Sequence, residues 1–469
     1  MTDLATKPAD ANPSPGLARV LVLSVIAIVC FQLAYSVPWC AFLMAGFLFC
    51  IYELTNIHST RLIFYGGLLL GLLVYAPQLW FFWTIFGPTA IGLWLILAFW
   101  LVLFLLIARF CRRQFSPVAA AVLIPFVWTG LEYFRSELYY LRFSWMNAGY
   151  AFSGSSLSQA FKTLGMYGIG FLLMAAVSLT GLLHGRRQIL TRFALLALLA
   201  MVIVTPHIMV RASLESGRGI PIAGAQMEFP SDRTAVTQLD RMLAQYPQAQ
   251  LFVLSEYTFD GPVPDVIKAW CKEHQRHLIV GGKAAAEGSQ YYNTAFVVGP
   301  TGEIVFQQAK SVPIQFFKDG LPAREQKIWN SPWGRIGICI CYDLSYTRVT
   351  DELVRLGAQA IIVPTMDVSD WGRHQHELHA LVAPVRAAEY GIPIFRIASS
   401  GISQSVNRFG RVIQSAPFPG EAETLYGHFY VKDRGTLPMD RYLAPVAVWV
   451  TVGVILWVPV VVVRRKKSV

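Results

Sequence analysis

Residues 17–211 carry one apolar stretch after another, each long enough or nearly so to cross the ~30 Å hydrocarbon core of a bilayer. Nothing else in the chain restricts its fold as much. Seven candidate spans fall near 17–35, 37–53, 61–83, 88–109, 117–135, 159–184 and 192–211, and an eighth near 442–463. Only 14% of the residues are charged, against roughly 25% in soluble chains. The expectation is a polytopic α-helical membrane protein of about eight spans. The net charge of +11 does not point to nucleic acid, because the basic residues gather at the ends of apolar stretches, as topology signals do. The first apolar run leads into a second without a small-residue cleavage site, so no cleavable signal peptide is expected.

The basic clusters set an expected orientation. Arg109, Arg112 and Arg113 lie between spans four and five, Arg186, Arg187 and Arg192 between six and seven, and Arg464, Arg465, Lys466 and Lys467 after span eight. With the polar, Pro-rich residues 1–16 as a cytoplasmic tail, all three clusters and the tail 464–469 are cytoplasmic. The loop 136–158 and residues 215–435 then face outward.

Residues 215–435 differ in character: apolar runs shorten, charge rises, and Gly, Pro, Asn and Asp punctuate them. Strands are expected at 220–226, 251–255, 278–281, 294–298, 336–340, 360–363 and 393–398, and helices at 233–245, 266–275, 350–356 and 375–390. That alternation predicts a layered α/β domain. Asn293 and the turn 299–302 predict hairpins, hence mixed sheets.

The chemistry gathers where strands end. The strand 336–340 runs straight into Cys341-Tyr342-Asp343, Glu256 follows the strand LFVLS, and Lys310 follows IVFQQA. A carboxylate can take a thiol proton and return it to a leaving group. An ammonium, with the backbone N–H of Tyr342, can stabilise a tetrahedral anion and favour the thiolate. Each residue also has a plainer reading as loop acid, surface charge or core thiol. The seven cysteines do not form a disulfide framework, since Cys30, Cys40, Cys50 and Cys111 lie in or beside apolar spans. His374, His376 and His379 do not share one helix face, and with neither Asp nor Cys expected to complete a site, a structural role is favoured over a metal. Arg386 and Glu389 read as a structural pair at i, i+3. Glu132 and Arg135, at the outer end of span five, read as headgroup ligands or as partners of each other. Trp145, Asn147 and Tyr150, on the outer loop, read first as interfacial anchors.

The segments SEYTF, QQAKSVP and ICICYDLSY resemble the signature regions of the carbon–nitrogen hydrolase (nitrilase) superfamily. DWGRHQHELHALVAPVRAAEYGIPIFRIASSGIS, with WTGLEYFRS, FSWMNAGY and GMYGIGFLL in the membrane half, narrows the resemblance to the apolipoprotein N-acyltransferase family. It implies an inserted nitrilase-like αββα sandwich and a two-step transfer without a cofactor. A phospholipid acyl chain moves to Cys341, then to the α-amine of a diacylglyceryl-cysteine lipoprotein. By position Cys341 is the nucleophile, Glu256 the base and acid, and Lys310 the oxyanion partner, in a monomer of the bacterial inner membrane with its catalytic domain periplasmic. Val312, Ile314, Phe316 and Phe317, after Lys310, form a lid or touch lipid on one reading and are core on another; Trp145 and Tyr150 are further lipid-contact candidates. Three departures stand out. Ser255 replaces a Pro, Asp343 replaces a Glu, and KSVPIQFFKDG lacks the Pro-Phe-Gly-Glu stretch, leaving Asp319 as the candidate for the accessory acid. These leave open another amine, or water as in an amidase, as acceptor, and an inactive scaffold as a third reading.

Overall fold

The computed structural model describes residues 16–154, 158–183, 219–420 and 422–467. The seventh candidate span, the basic residues 186–192 and nearly all of the N-terminal tail lie outside them. The membrane region comprises α1 (Leu17–Ser36), α2 (Leu43–Leu54), α3 (Thr60–Gln78), α4 (Phe81–Phe86), α5 (Ala90–Gln114), α6 (Pro117–Tyr133) and α7 (Ser158–Thr180). Local chemistry sets their ends. Val37, extended ahead of Pro38, stops α1. The Ser59 and Ser116 hydroxyls accept the N–H groups of Leu62 and Ala119 and so start α3 and α6. Where two long spans were expected at 61–83 and 88–109, α3 stops at Gln78, and α4 ends at Gly87, whose positive φ (59°) admits a turn. Among the described residues, six helical stretches are long and apolar enough to cross a membrane, the last near the C-terminus. The second candidate span does not reach that length. Its helix α2 has 12 residues, about 18 Å at ~1.5 Å each. α3 and α5 pack closely at Gly71, where a Cβ would stand 2.6 Å from the Cα of Ala98.

The domain between α7 and the C-terminal helix is a sandwich of mixed sheets. Its elements in order are β1 (Ile220–Ala225), α8 (Asp232–Gln245), β2 (Leu251–Val253), α9 (Asp265–His274), β3 (His277–Ala285), β4 (Tyr291–Val298), β5 (Ile304–Ala309), β6 (Ile328–Ser331), β7 (Gly334–Ile338), α10 (Thr347–Arg355), β8 (Ala360–Thr365), α11 (Arg373–Ala380), α12 (Val382–Tyr390), β9 (Ile394–Ala398), β10 (Ser403–Val406), β11 (Val412–Ala416) and β12 (Thr424–Phe429). One sheet runs β12-β1-β2-β3-β4-β5, the other β11-β10-β9-β8-β7-β6. Period-two alternation sorts the faces. Ile222, Leu251, Val253 and Ile279 meet Ile336, Ile338, Ile362 and Phe395 between the sheets. Phe252, Leu254 and Leu278 turn outward to α8 and α9. The helix expected over 375–390 is broken into α11 and α12 at Leu381. Pro384 has no N–H for the carbonyl of Ala380, so one helical hydrogen bond is missing there.

The far face of the second sheet has no solvent layer. Cys339, Ile361, Val363 and Ile394 belong to the same apolar core as Val382 and Val385 of α12 and the membrane residues Phe47, Trp128 and Met174. A polar joint crosses this contact. Arg386 donates to Glu389 and to the carbonyls of Leu344 and Ser345. Glu389 accepts from the Met166 N–H at 2.7 Å and from Arg441, on α13 (Asp440–Lys467), at 3.1 Å. Burial opposes ionisation of Glu389, but Arg441 and Arg386 outweigh it and hold the carboxyl at about 2. Arg386 and Glu389 are thus a pair, as expected, with a third member from the last helix. Glu132 and Arg135 do not pair: Glu132 accepts the Ala148 N–H, and Arg135 donates to Asn147. Trp145, Asn147 and Tyr150 are buried, at 5%, 0% and 1% exposure. Their expected role as interfacial anchors is overturned, because the loop folds inward beneath the domain.

Candidate active site

Cys341 opens a tight turn just past β7 with φ +52°, a left-handed conformation costly for any residue with a Cβ. Asp343 fastens that turn. Its carboxylate accepts the N–H groups of Ile340 at 3.2 Å, Ser311 at 3.0 Å and Val312 at 2.7 Å. The strand end bearing Cys341 is therefore tied to the loop that follows Lys310. Burial lifts the Asp343 carboxyl to about 6, although Lys310 and these amides pull the other way.

Lys310, fully buried, reaches two carboxylates: Glu256 Oε1 at 2.8 Å and Asp319 Oδ2 at 2.7 Å. Asn293, on β4, donates to both, at 2.6 and 2.8 Å, and Tyr257 donates to Asp319 at 3.0 Å. The other Glu256 oxygen accepts the Met366 N–H at 2.7 Å, and the Cys341 thiol points its hydrogen at the Met366 carbonyl, 3.6 Å away. One ammonium thus serves two carboxylates. Burial, and the charge of Asp319, hold Glu256 above its ordinary value despite Lys310. Asp319, though burial opposes it, is pulled below its own by Lys310. Burial and the charge of Glu256 raise the Cys341 thiol well above a free cysteine. The resting arrangement is a neutral thiol beside a carboxylate of heightened basicity.

Gly281, on β3, gives the Glu256 turn its place. A Cβ there would lie 2.5 Å from the Glu256 Cα and 2.6 Å from the Tyr257 nitrogen. Gly281→Ala is expected to push Glu256 off Lys310 and to cost between about tenfold and 10²-fold in reaction rate at Cys341. Single-turnover kinetics of a folded variant will check it.

Above Cys341 opens an apolar cavity of about 120 Å³. One wall comes from the membrane region, with Phe81, Phe82 and Phe86 of α4 and Leu93 and Leu97 of α5. The other comes from Ile314, Phe316, Phe317 and Trp371 of the domain. The Phe86 ring meets both Phe316 (6.0 Å between centroids) and Phe317 (5.8 Å) edge to face. Phe316 is 68% exposed. Trp145 lines the cavity, donates to the Ser345 hydroxyl at 3.0 Å and stacks on His379 at 4.8 Å. The Tyr342 ring borders the cavity too, whereas Tyr150 and Val312 do not.

The histidine expectation needs correcting. An Asp and a Cys do stand beside His379: Asp367 accepts from its Nδ1 at 2.8 Å, and ligand atoms of Cys341, Asp367 and His379 lie within 4.8 Å of one another. His376 also approaches Asp367, at 3.8 Å, while His374 faces away to Gln78. Arg396, on β9, pairs with Asp367 and opposes a cation there. Burial, with Arg396 beside it, keeps His379 neutral by lowering it from the ordinary histidine value. Sequence reasoning missed Asp367, Asn293 and Arg396. Asp367 alone left a signal, since it follows a strand just as Glu256 and Cys341 do.

The chain resembles known proteins along most of its length. Residues 23–179 match the apolipoprotein N-acyltransferase N-terminal domain, and residues 238–433 match carbon-nitrogen hydrolase. An apolipoprotein N-acyltransferase of Geobacter metallireducens is 24% identical over 413 residues, 76% of this chain and 79% of that one. Its counterpart from Pseudomonas putida is 25% identical over 438 residues, 82% and 79% of the two chains. Among solved structures, Saccharomyces cerevisiae Nit3, a member of branch 10 of the nitrilase superfamily, is 20% identical with a TM-score of 0.40, over 47% of this chain and 93% of that one. With both family regions in one chain, and relatives that span them together, this membrane protein belongs to the apolipoprotein N-acyltransferase family of the carbon–nitrogen hydrolase superfamily.

Proposed function

We propose that this protein moves an acyl chain from a phospholipid, through a thioester on Cys341, to the N-terminal amine of a diacylglyceryl-cysteine lipoprotein. One observation carries the reading: a thiol beside a buried Glu256–Lys310–Asp319 cluster opens at the base of an apolar cavity half built from membrane helices. Glu256 takes the thiol proton as Sγ attacks the ester carbonyl. Lys310 and the Tyr342 N–H stabilise the anion that forms. The ester C–O bond breaks, and Glu256 returns the proton to the departing lysophospholipid. In the second half the amine attacks the thioester, Glu256 takes its proton, the C–S bond breaks, and the thiol is restored. Asp319 holds Lys310 in place where the accessory Glu is missing. The apolar walls keep water from the thioester, so an amine can compete for it.

The orientation proposed is extracytoplasmic, in a bacterial inner membrane. Arg112 and Arg113 close α5, and Arg464 lies near the far end of α13, while the domain adjoins the opposite ends of these helices. The test is intact-mass analysis of purified protein given phospholipid and then a diacylglyceryl-cysteine peptide. A hydroxylamine-labile adduct that passes to the peptide amine supports the reading. An adduct lost equally fast without peptide makes water the acceptor and the protein an amidase or esterase. No adduct at all removes the acyltransferase reading.

The base sets a pH dependence. Acylation requires ionised Glu256, so its rate rises with pH through a midpoint above the ordinary Glu value of about 4.3. Asp319 raises that midpoint by like charge, so Asp319→Asn is expected to move the acid limb to lower pH. An acid limb that stays put in single-turnover profiles would remove Glu256 as the titrating group.

A further inference from the structure

The apolar cavity has a polar neighbour. Gln315, Tyr342 and Arg142 border both it and a second hollow of about 330 Å³, closed on its other sides by Tyr346, Arg348 and the loop after Lys310. Arg142 lies on the loop between α6 and α7, and Arg348 is the second residue of α10. The Arg142 guanidinium sits over the Tyr346 ring at 5.8 Å, and its buried Nε has no hydrogen-bond partner. Among the described residues neither arginine forms an ion pair, although the other charges of α10 do. The charges of Glu137 and Asp343 act on Arg348, but neither carboxylate forms an ion pair with it. Asp343 holds three backbone N–H groups, and Glu137 Oε1 accepts the Thr347 N–H at 3.0 Å and the Tyr167 hydroxyl at 3.3 Å, while its Oε2 has no hydrogen-bond partner. Burial and the charge of Arg142 pull Arg348 below the ordinary arginine range. Two guanidinium groups that face one hollow without an acid between them repel each other until an anion joins them, and their planar donors suit phosphate oxygens.

We propose that Arg142 and Arg348 form a phosphate site, which holds the headgroup of the acyl-donating phospholipid while its ester reaches Cys341. This rests on the acyltransferase reading above. The position fits the chemistry of a glycerophospholipid, whose phosphate and ester carbonyls are separated only by the short glycerol segment. Tyr342 bridges the two hollows in the same way. Its ring borders the cavity at Cys341, and its hydroxyl donates to the Arg142 carbonyl at 3.4 Å. The acyl chain occupies the apolar cavity and the phosphate its charged neighbour. The site therefore selects donors that carry a phosphate and orients their ester bond.

The test separates this site from the chemistry. Full-length protein carrying Cys341→Ala, in a neutral detergent, is titrated with phosphatidylglycerol, with phosphate-free diacylglycerol and with inorganic phosphate. Arg142→Gln and Arg348→Gln are each expected to weaken phosphatidylglycerol binding about tenfold and to leave diacylglycerol binding unchanged, with Arg348→Lys recovering part of the loss. Equal loss for both lipids assigns the arginines to structure and overturns the proposal, as does no loss for either. Inorganic phosphate bound as tightly as the lipid makes this a free-phosphate site and overturns it too. Since the Cys341 thiol is absent, the result stands whether or not Cys341 forms a thioester. Failure of the acyltransferase reading appears separately, as a missing adduct in the parent chain.

Discussion

Replacing Glu256 by glutamine is expected to slow acylation of Cys341 by roughly 10²–10⁴-fold, the usual contribution of a placed general base, while the protein stays folded. The amide has the shape of the carboxylate and keeps an oxygen for Lys310, which now lies 2.8 Å from Glu256 Oε1. Its nitrogen then faces the Met366 N–H, which now donates to Glu256 Oε2 at 2.7 Å. Two opposed donors cost about 1–3 kcal/mol, too little to account for a loss of that size by unfolding alone. The proton acceptor for a buried, un-ionised thiol has gone. Intact-mass time courses with a phospholipid donor measure the effect, and Cys341→Ala, which forms no adduct, gives the baseline. If Glu256→Gln acylates at the parental rate, the proton goes elsewhere. The next acceptor is His379, held neutral beside Asp367 and near the thiol.

Lys310→Met is expected to cost about 3–5 kcal/mol of stability, as removal of one partner from a buried ion pair does. Glu256 and Asp319 would be left facing each other with side chains only 1% and 5% exposed. The pH dependence identifies the cause. Lys310 pulls both carboxyls down, so without it Glu256 rises further above its unfolded value, and Asp319, left with the burial that opposes its ionisation, rises from below its own. A folded pKa above the unfolded one contributes stability that is present in acid and lost as pH rises through the folded value. In the parent, Asp319 lies below its ordinary value, and its contribution is lost as pH falls. The gap in melting temperature between parent and variant should therefore widen from acid to neutral pH. An equal gap at both ends would mean that lost packing, and not unpaired charge, destabilises the variant.

The sequence exposed those parts of the site that follow from strand ends. Glu256, Lys310 and Cys341 each end a legible apolar run, and Asp319 stood out against a missing accessory acid. Asn293 and Arg396 did not, and Asp367, although it too follows a strand, was passed over, because each acts through a partner far along the chain. Asn293 meets Glu256 across 37 positions, and Asp367 meets Arg396 across 29. Spacing along one helix could not bring Asp367 to His379, since the acid comes from the end of β8. Trp145 misled for a related reason. Apolarity beside a span looks the same whether the ring faces lipid or the underside of a folded domain. The 12-residue α2 shows the limit of hydropathy, which marks apolar residues without marking where the helix begins.

The joint between domain and membrane has an order in time. Arg386 and Glu389 leave the ribosome together, but Arg441 follows 52 residues after Glu389. Asp351, whose two oxygens each take an Arg441 N–H at 2.9 Å, waits longer still. Until α13 is made, these acids lack that cation, and the apolar face of α12 meets an incomplete helical surface. Synthesis of α13 therefore completes the seat of a domain whose own chain ended earlier, and that seat is whole only once this helix has been made.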